Sequence, residues 1–280
     1  MFDLPKIPLA HWIDAFVAWI SHFEGFFYVI TNALGGIINA IQWVFDLLPI
    51  PVFILAVIAL TWWLTRHERK LGLLVFELLG FLYIWNQGFW RDMTQTLTLV
   101  LTASLLAIII GVPLGLWAAM NRTVARIVKP LMDFMQTMPA FVYLIPAVAL
   151  FGIGMVPGVV ASVIFAMPPT VRMTQLGIQQ VSGELIEAAD SFGATRWQRL
   201  TKVQLPGALS TIMAGINQSM MLALSMVVIA SMIGAMGLGT QVYFAVGRNE
   251  AGSGFAAGLA IVILAIILDR ITQAMNHKQH

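Results

Sequence analysis

Seven apolar runs constrain this chain more than any single motif does. They fall at about residues 52–64, 71–85, 94–120, 137–153, 156–178, 209–233 and 255–271. A helix needs roughly 20 apolar residues to cross the hydrocarbon of a bilayer. Backbone at that depth has no water to bond, so each run must satisfy its own N–H and C=O groups as a helix. The first two runs fall short of that length and suit a tilted hairpin. Composition agrees: 59% of the 280 residues are hydrophobic and 10% charged, where a soluble domain is nearer half apolar and a quarter charged. The sequence predicts an all-α integral membrane protein, a polytopic bundle of about seven spans.

Residues 1–50 are apolar but patterned. Trp12, Phe16, Trp19, Ile20 and Phe23 recur at helical spacing opposite His11, Asp14 and His22. Between residues 26 and 48, Asn32, Asn39 and Asp46 fall every seventh residue and so share one face. Such an amphipathic helix lies in the membrane interface; the alternative is a further span, since no charge separates Glu24 from Asp46. Pro49 and Pro51 close the region. No basic start precedes a cleavage site, so no cleavable signal peptide is expected. The division is an amphipathic N-terminal region (1–50), short accessory spans (51–90), a core (91–274) and a tail (275–280).

Basic residues give the orientation. Arg66, Arg69, Lys70, Arg122, Arg126, Lys129, Arg196, Arg199, Lys202, Arg270 and Lys278 fall on one side; Lys6, Arg91 and Arg248 fall on the other. The richer side is expected to be cytoplasmic, which with seven spans puts the N-terminus outside.

The longest stretch in the middle of the chain that has no place in lipid is residues 184–206. It carries six charges, Glu184, Glu187, Asp190, Arg196, Arg199 and Lys202. Residues 184–192 are good helix formers with an acidic first turn, which suits the positive end of a helix dipole. Gly193 is placed to stop that helix in a left-handed conformation. Thr195 and Gln198 have the spacing of a capping box for a second helix. Pro206 suits the first turn of the next helix, where a missing N–H costs nothing. Helix, corner, helix and span are predicted in that order. Ala188 and Ala189 keep the first helix low, so a partner can approach closely; the plain alternative is a solvated link between spans.

Catalytic chemistry is hard to place. There are no cysteines, which excludes thiolate metal sites, disulfides and thiol catalysis. Gly is nowhere followed by Lys, so there is no nucleotide-binding loop of the Gly-Lys-Ser/Thr kind. Gly234, Gly237 and Gly239 lie at the end of a span, not between a strand and a helix. The histidines lack zinc-ligand spacing. The chain is not expected to be an enzyme, to hold a cofactor or metal, or to bind nucleic acid. Ionisable residues are few within the spans, and Glu77 and Arg172 stand out. Glu77 is a functional candidate by default or a residue paired inside the bundle; Arg172 is placed to reach toward the interface. So few buried carboxylates argue against an ion-gradient carrier.

Residues 136–146, QTMPAFVYLIP, carry Pro139 and Pro146, with Phe141 and Tyr143 between them. They read as a kinked packing helix or as a broken helix that lines a pathway. Asn217, Gln218 and Met221 are further candidates for a pathway or gate, with bonding between helices as the alternative reading of the polar pair.

Glu187-Ala188-Ala189, three residues, Gly193, nine residues and Val203-Gln204-Leu205-Pro206 resemble the EAA loop of ABC-importer permeases, with Val203 where Ile is usual. QTMPAFVYLIP and GINQSMMLALSMVVIASMIGAMGLG are similar to the glycine betaine, proline betaine and choline branch of that family. The similarity covers about residues 94–271. It implies a type I ABC importer permease in the bacterial inner membrane. It further implies a homodimer, cytoplasmic ATPase subunits holding ATP and Mg, and an external binding protein that delivers a quaternary ammonium osmolyte. The coupling loop would be residues 182–206, with Glu187, Ala188, Ala189, Gly193, Thr195, Leu205 and Pro206 as its working residues. A secondary carrier or an osmotic channel is the alternative.

Overall fold

The computed structural model describes residues 8–65 and 71–277, and every regular element among them is helical. Lys6, Arg66, Arg69, Lys70 and Lys278, named above, lie outside the described residues. The helices are α1 (Leu9–Ser21), α2 (Glu24–Leu47), α3 (Ile50–Leu64), α4 (Leu71–Asn86), α5 (Trp90–Met120), α6 (Arg122–Thr137) and α7 (Leu144–Phe151). They continue with α8 (Met155–Gln179), α9 (Gly183–Ser191), α10 (Arg196–Arg199), α11 (Leu205–Ser231), α12 (Leu238–Arg248) and α13 (Ala251–His277).

The core is a slab of α5, α8 and α11, the most extensively packed helices. Lipid tails are as apolar as leucine, so burial alone does not drive such helices together; close packing of small residues does. A Cβ on Gly115 of α5 would lie 2.6 Å from the Val171 carbonyl oxygen and 2.7 Å from the Thr174 Cβ on α8. One on Gly215 of α11 would lie 2.6 Å from the Met173 Cβ. A hydroxyl bond of 2.6 Å between Thr170 and Ser219, both fully buried, pins α8 to α11.

The slab has two ends. At the loop end, Ile178, Leu200, Ala208 and Ile212 cluster beside α9 and α10. At the far end, Gly154 N–H donates to the Ile233 carbonyl at 2.8 Å. There, too, the Leu238 N–H donates to Thr96 Oγ1 at 2.9 Å. Gly237, at φ 145°, approaches Thr96 so closely that an added Cβ would lie 2.6 Å from Oγ1.

By length and apolarity α2 is one of five described helices able to cross a membrane. Its contacts place it otherwise. Phe27 meets Phe151 at the end of α7, with ring centres 5.5 Å apart. Gly35 faces Val156 in the first turn of α8. Gln42 donates to Thr94 at 3.2 Å and accepts from Thr98 at 2.9 Å, both early in α5. Positions 27 and 42 are about 22 Å apart along a helix, yet all of their partners lie at the far end. So α2 crosses that end like a strap. Its polar stripe, Asn32, Asn39 and Asp46, is exposed on one flank; Val29, Ala33, Ile37, Ala40 and Val44 form an exposed apolar flank on the other.

The helices α3 and α4, of 15 and 16 residues, pair as the expected hairpin and lie against α13. Phe53 sits edge-on to Phe45, Phe81 and Trp90 and joins strap, hairpin and slab. Glu77 is fully buried and accepts from Thr61 Oγ1 at 2.8 Å. Of its two readings, pairing inside the bundle is the one observed.

One predicted span needs correction. Residues 137–153 do not form one kinked helix. Asn121 caps α6 through Thr123 N–H at 2.8 Å and Val124 N–H at 3.3 Å. The chain therefore turns back at residue 122, well before the run that looked apolar. Pro139 then ends α6, a single 3-10 turn spans Ala140–Tyr143, and α7 leaves at 110° to α6. The polar face of α6 hid it from a search for uniformly apolar runs.

Candidate functional site

The helix–corner–helix stretch forms as its sequence dictates. No residue of α9 is buried, and Glu184 lies in its first turn. Glu187 and Ala188 are exposed and Ala189 is half-buried. Gly193 closes the corner at φ 75°, a conformation that a Cβ makes costly. The capping box is complete: Thr195 N–H donates to Gln198 Oε1 at 2.9 Å, and Gln198 N–H to Thr195 Oγ1 at 3.3 Å. Arg199 grips both oxygens of Asp190, at 3.1 and 2.8 Å, and fixes α10 against α9. Such a half-exposed pair adds at most about 1 kcal/mol; its effect is to set the angle of the corner. Leu185, Phe192 and Trp197 stand in the open, Phe192 at 93% exposure.

Beyond the corner no break intervenes. Leu200–Gln204 form a π turn that passes into α11, so that Arg196–Ser231 is one continuous rod. Pro206 lies in the first turn of α11. Having no N–H, it leaves one preceding carbonyl without its α-helical bond, at the place where the wider turn sits. Leu200 is buried at the base of the loop and Leu205 packs beside it. All seven of the loop residues named from the sequence therefore lie on or at the root of one projecting element.

The pathway candidates separate. Tyr143 is buried, bonds through its hydroxyl to the Met135 carbonyl, and meets the Phe165 ring 6.2 Å away. Asn217 donates to Asp269 Oδ1 at 2.8 Å and accepts from Thr272 at 2.6 Å, which ties α11 to α13. These two hold helices together. Pro139, Phe141, Pro146 and Gln218 are exposed, and Met221 is half-buried. Beyond its first turn, the exposed positions of α11, Ala214, Gln218 and Ser225, with Met232 at its end and the half-buried Met221 among them, form a stripe at helical spacing.

A cleft of about 370 Å³ lies between α6 and α8, lined among others by Lys129, Met132, Asp133, Arg172, Met173 and Gln175. Arg172 does not merely reach to the interface; its guanidinium pairs with Asp133. Sequence reading passed over Asp133. The signal was there, because Arg122, Arg126, Lys129 and Asp133 recur every three or four residues along one face of α6. Among the described residues no group of acids and histidines is placed to hold a metal.

The chain is a multi-pass helical bundle whose central rod runs unbroken into a projecting, exposed loop. This chain belongs to the family described as binding-protein-dependent transport system inner membrane component, whose model matches residues 111–280. It is similar to the glycine betaine/carnitine transport permease protein GbuB of Listeria monocytogenes serotype 1/2a (strain 10403S), with 71% identity over 278 residues and 99% of each chain covered. It is also similar to the glycine betaine transport system permease protein OpuAB of Bacillus subtilis (strain 168), at 56% identity over 280 residues, 100% of this chain and 98% of that one. Among solved structures, a chain of the MetNI methionine ABC transporter shares the fold, with a TM-score of 0.62 at 21% identity, covering 76% of this chain and 99% of that one.

Proposed function

We propose that this chain is the permease subunit of an ATP-driven importer for a quaternary ammonium osmolyte, with glycine betaine as its first substrate. The observation that carries the reading is the rod Arg196–Ser231, which joins an exposed, angle-locked loop to the centre of the bundle. A docked ATPase moving that loop moves the core with it. The loop, residues 182–206, faces the cytoplasm. Glu187, Ala188 and Ala189 offer a low surface to the ATPase, and Gly193 and Thr195 set the corner. Leu205 and Pro206 root the loop in the slab. ATP and Mg are bound by the partner, and this chain performs no catalysis. Two copies assemble, with a binding protein delivering substrate at the far end. The α11 stripe with Gln218 and Met221, together with Phe141 beside the bend, lines the passage. The names of the relatives at 71% and 56% identity support the substrate class.

The test is gentle extraction of the tagged protein from its native membrane, followed by mass spectrometry. A stoichiometric ATPase should co-purify, and Glu187→Lys should lower its yield severalfold. A lone, monodisperse protein that moves solute by itself in vesicles would refute the reading in favour of a carrier or channel.

A further inference from the structure

The passage side of α8 holds one feature that the loop mechanism leaves unused. On that helix Phe165, Arg172, Leu176 and Gln179 share a half-buried to exposed face. This face forms a floor between α6 on one side and α11 on the other. Met173 joins the two walls: it packs on Gly215 of α11 and also lines the cleft toward α6. Met173 thus stands between the α6–α8 cleft and the buried Gly215 face of α11. The stripe is uncharged, and the charges in the cleft are Lys129, Asp133 and Arg172.

We propose that Asp133 and Arg172 form a transit site for the zwitterionic substrate within the permease, an inference that rests on the function proposed above. In the empty cleft the two side chains neutralise each other. Both remain partly open, at 39% exposure for Arg172 and 53% for Asp133. The Arg172 Nε hydrogen is enclosed and has no acceptor among the described residues. The Arg199 Nε of the structural Asp190 pair is enclosed and unpaired too, so what marks the Asp133–Arg172 pair is its place in a cleft beside a third charge, Lys129. A substrate with a carboxylate at one end and a quaternary ammonium at the other matches this pair in reverse. Its carboxylate takes up the guanidinium and Lys129, in the fork geometry that arginine favours. The ammonium group, which has no N–H to donate, lies against the Asp133 carboxylate and the polarisable sulfur of Met173. Opening one ion pair to form two makes binding nearly neutral in charge cost, so the site holds its ligand weakly and releases it. A transit site requires that.

The absence of native cysteines makes the test direct. Gln175, which lines the cleft, is changed to Cys in the permease–ATPase complex in vesicles, and its reaction with a cationic methanethiosulfonate is timed. Glycine betaine should slow labelling severalfold relative to sucrose of equal osmolality. Asp133→Asn or Arg172→Gln should abolish the protection while the ATPase still co-purifies. Equal labelling with and without glycine betaine, in a complex that imports it, would overturn the transit site and leave the function standing. A complex that imports no quaternary ammonium compound would overturn the function and the site with it. Protection that persists in both charge variants also refutes the proposal.

Discussion

Gly193 concentrates the geometry of the loop in one backbone torsion. At φ 75° a valine would be strained by about 1–3 kcal/mol, and the chain escapes by reopening the corner. Gly193→Val should therefore insert normally, hydrolyse ATP with its partner and yet import little; parallel uptake and phosphate-release assays on vesicles check this. Wild-type uptake would dismiss the corner as the coupling device. Asn217 makes a different case. Replacement by Leu leaves Asp269 Oδ1 without its donor, and a partly buried acceptor left unpaired costs about 1–3 kcal/mol. Asn217→Leu should lower the melting temperature in detergent by several degrees, whereas Gln218→Leu, exposed on the stripe, should leave it unchanged. Sequence was a good guide where chemistry is local. Thr195, Gln198 and Gly193 sit within four residues of their partners, and their roles follow from spacing. Asn217 with Asp269, and Arg172 with Asp133, lie 52 and 39 positions apart. Those pairs depend on the rotational phase of two packed helices, which one sequence leaves undetermined.

At the scale of elements, the slab of α5, α8 and α11 owes its rigidity to what is missing from it. Gly115→Val would drive a branched side chain into the Val171 carbonyl, 2.6 Å from the first atom added. Overpacking of this kind costs about 1–3 kcal/mol or more. The variant should show early unfolding and loss of uptake, whereas Gly258→Val, with nothing within 4 Å, should behave as wild type; thermal unfolding in detergent compares them. Helix existence was largely legible here, because runs of apolar residues permit little else. The reversal at Asn121 and the 110° turn after Thr137 were not. A helix with a charged face does not announce itself as part of a span, and α6 has one along Arg122, Arg126, Lys129 and Asp133.

For the whole molecule, the position of α2 separates two topologies. If it crosses the far end as a strap, Asn32→Cys and Asp46→Cys should both react with an impermeant thiol reagent added to the same side of sealed vesicles. Reaction from opposite sides would make α2 a span. The seven-residue polar repeat predicted the helix and its flank, but only the partners of Phe27, Gly35 and Gln42 reveal what it lies across. That arrangement bears on biogenesis. A ribosome releases α2 before most of its supports exist: Thr94, Phe151 and Val156 emerge roughly 50 to 120 residues after Gln42 and Gly35. Until then the helix has only the lipid headgroup region to rest in. Its outer apolar flank, idle in the finished protein except as a surface for lipid, is what moors it there. The strap must wait on the membrane until those supports emerge, so a chain truncated before residue 156 should insert its spans and leave α2 open to protease.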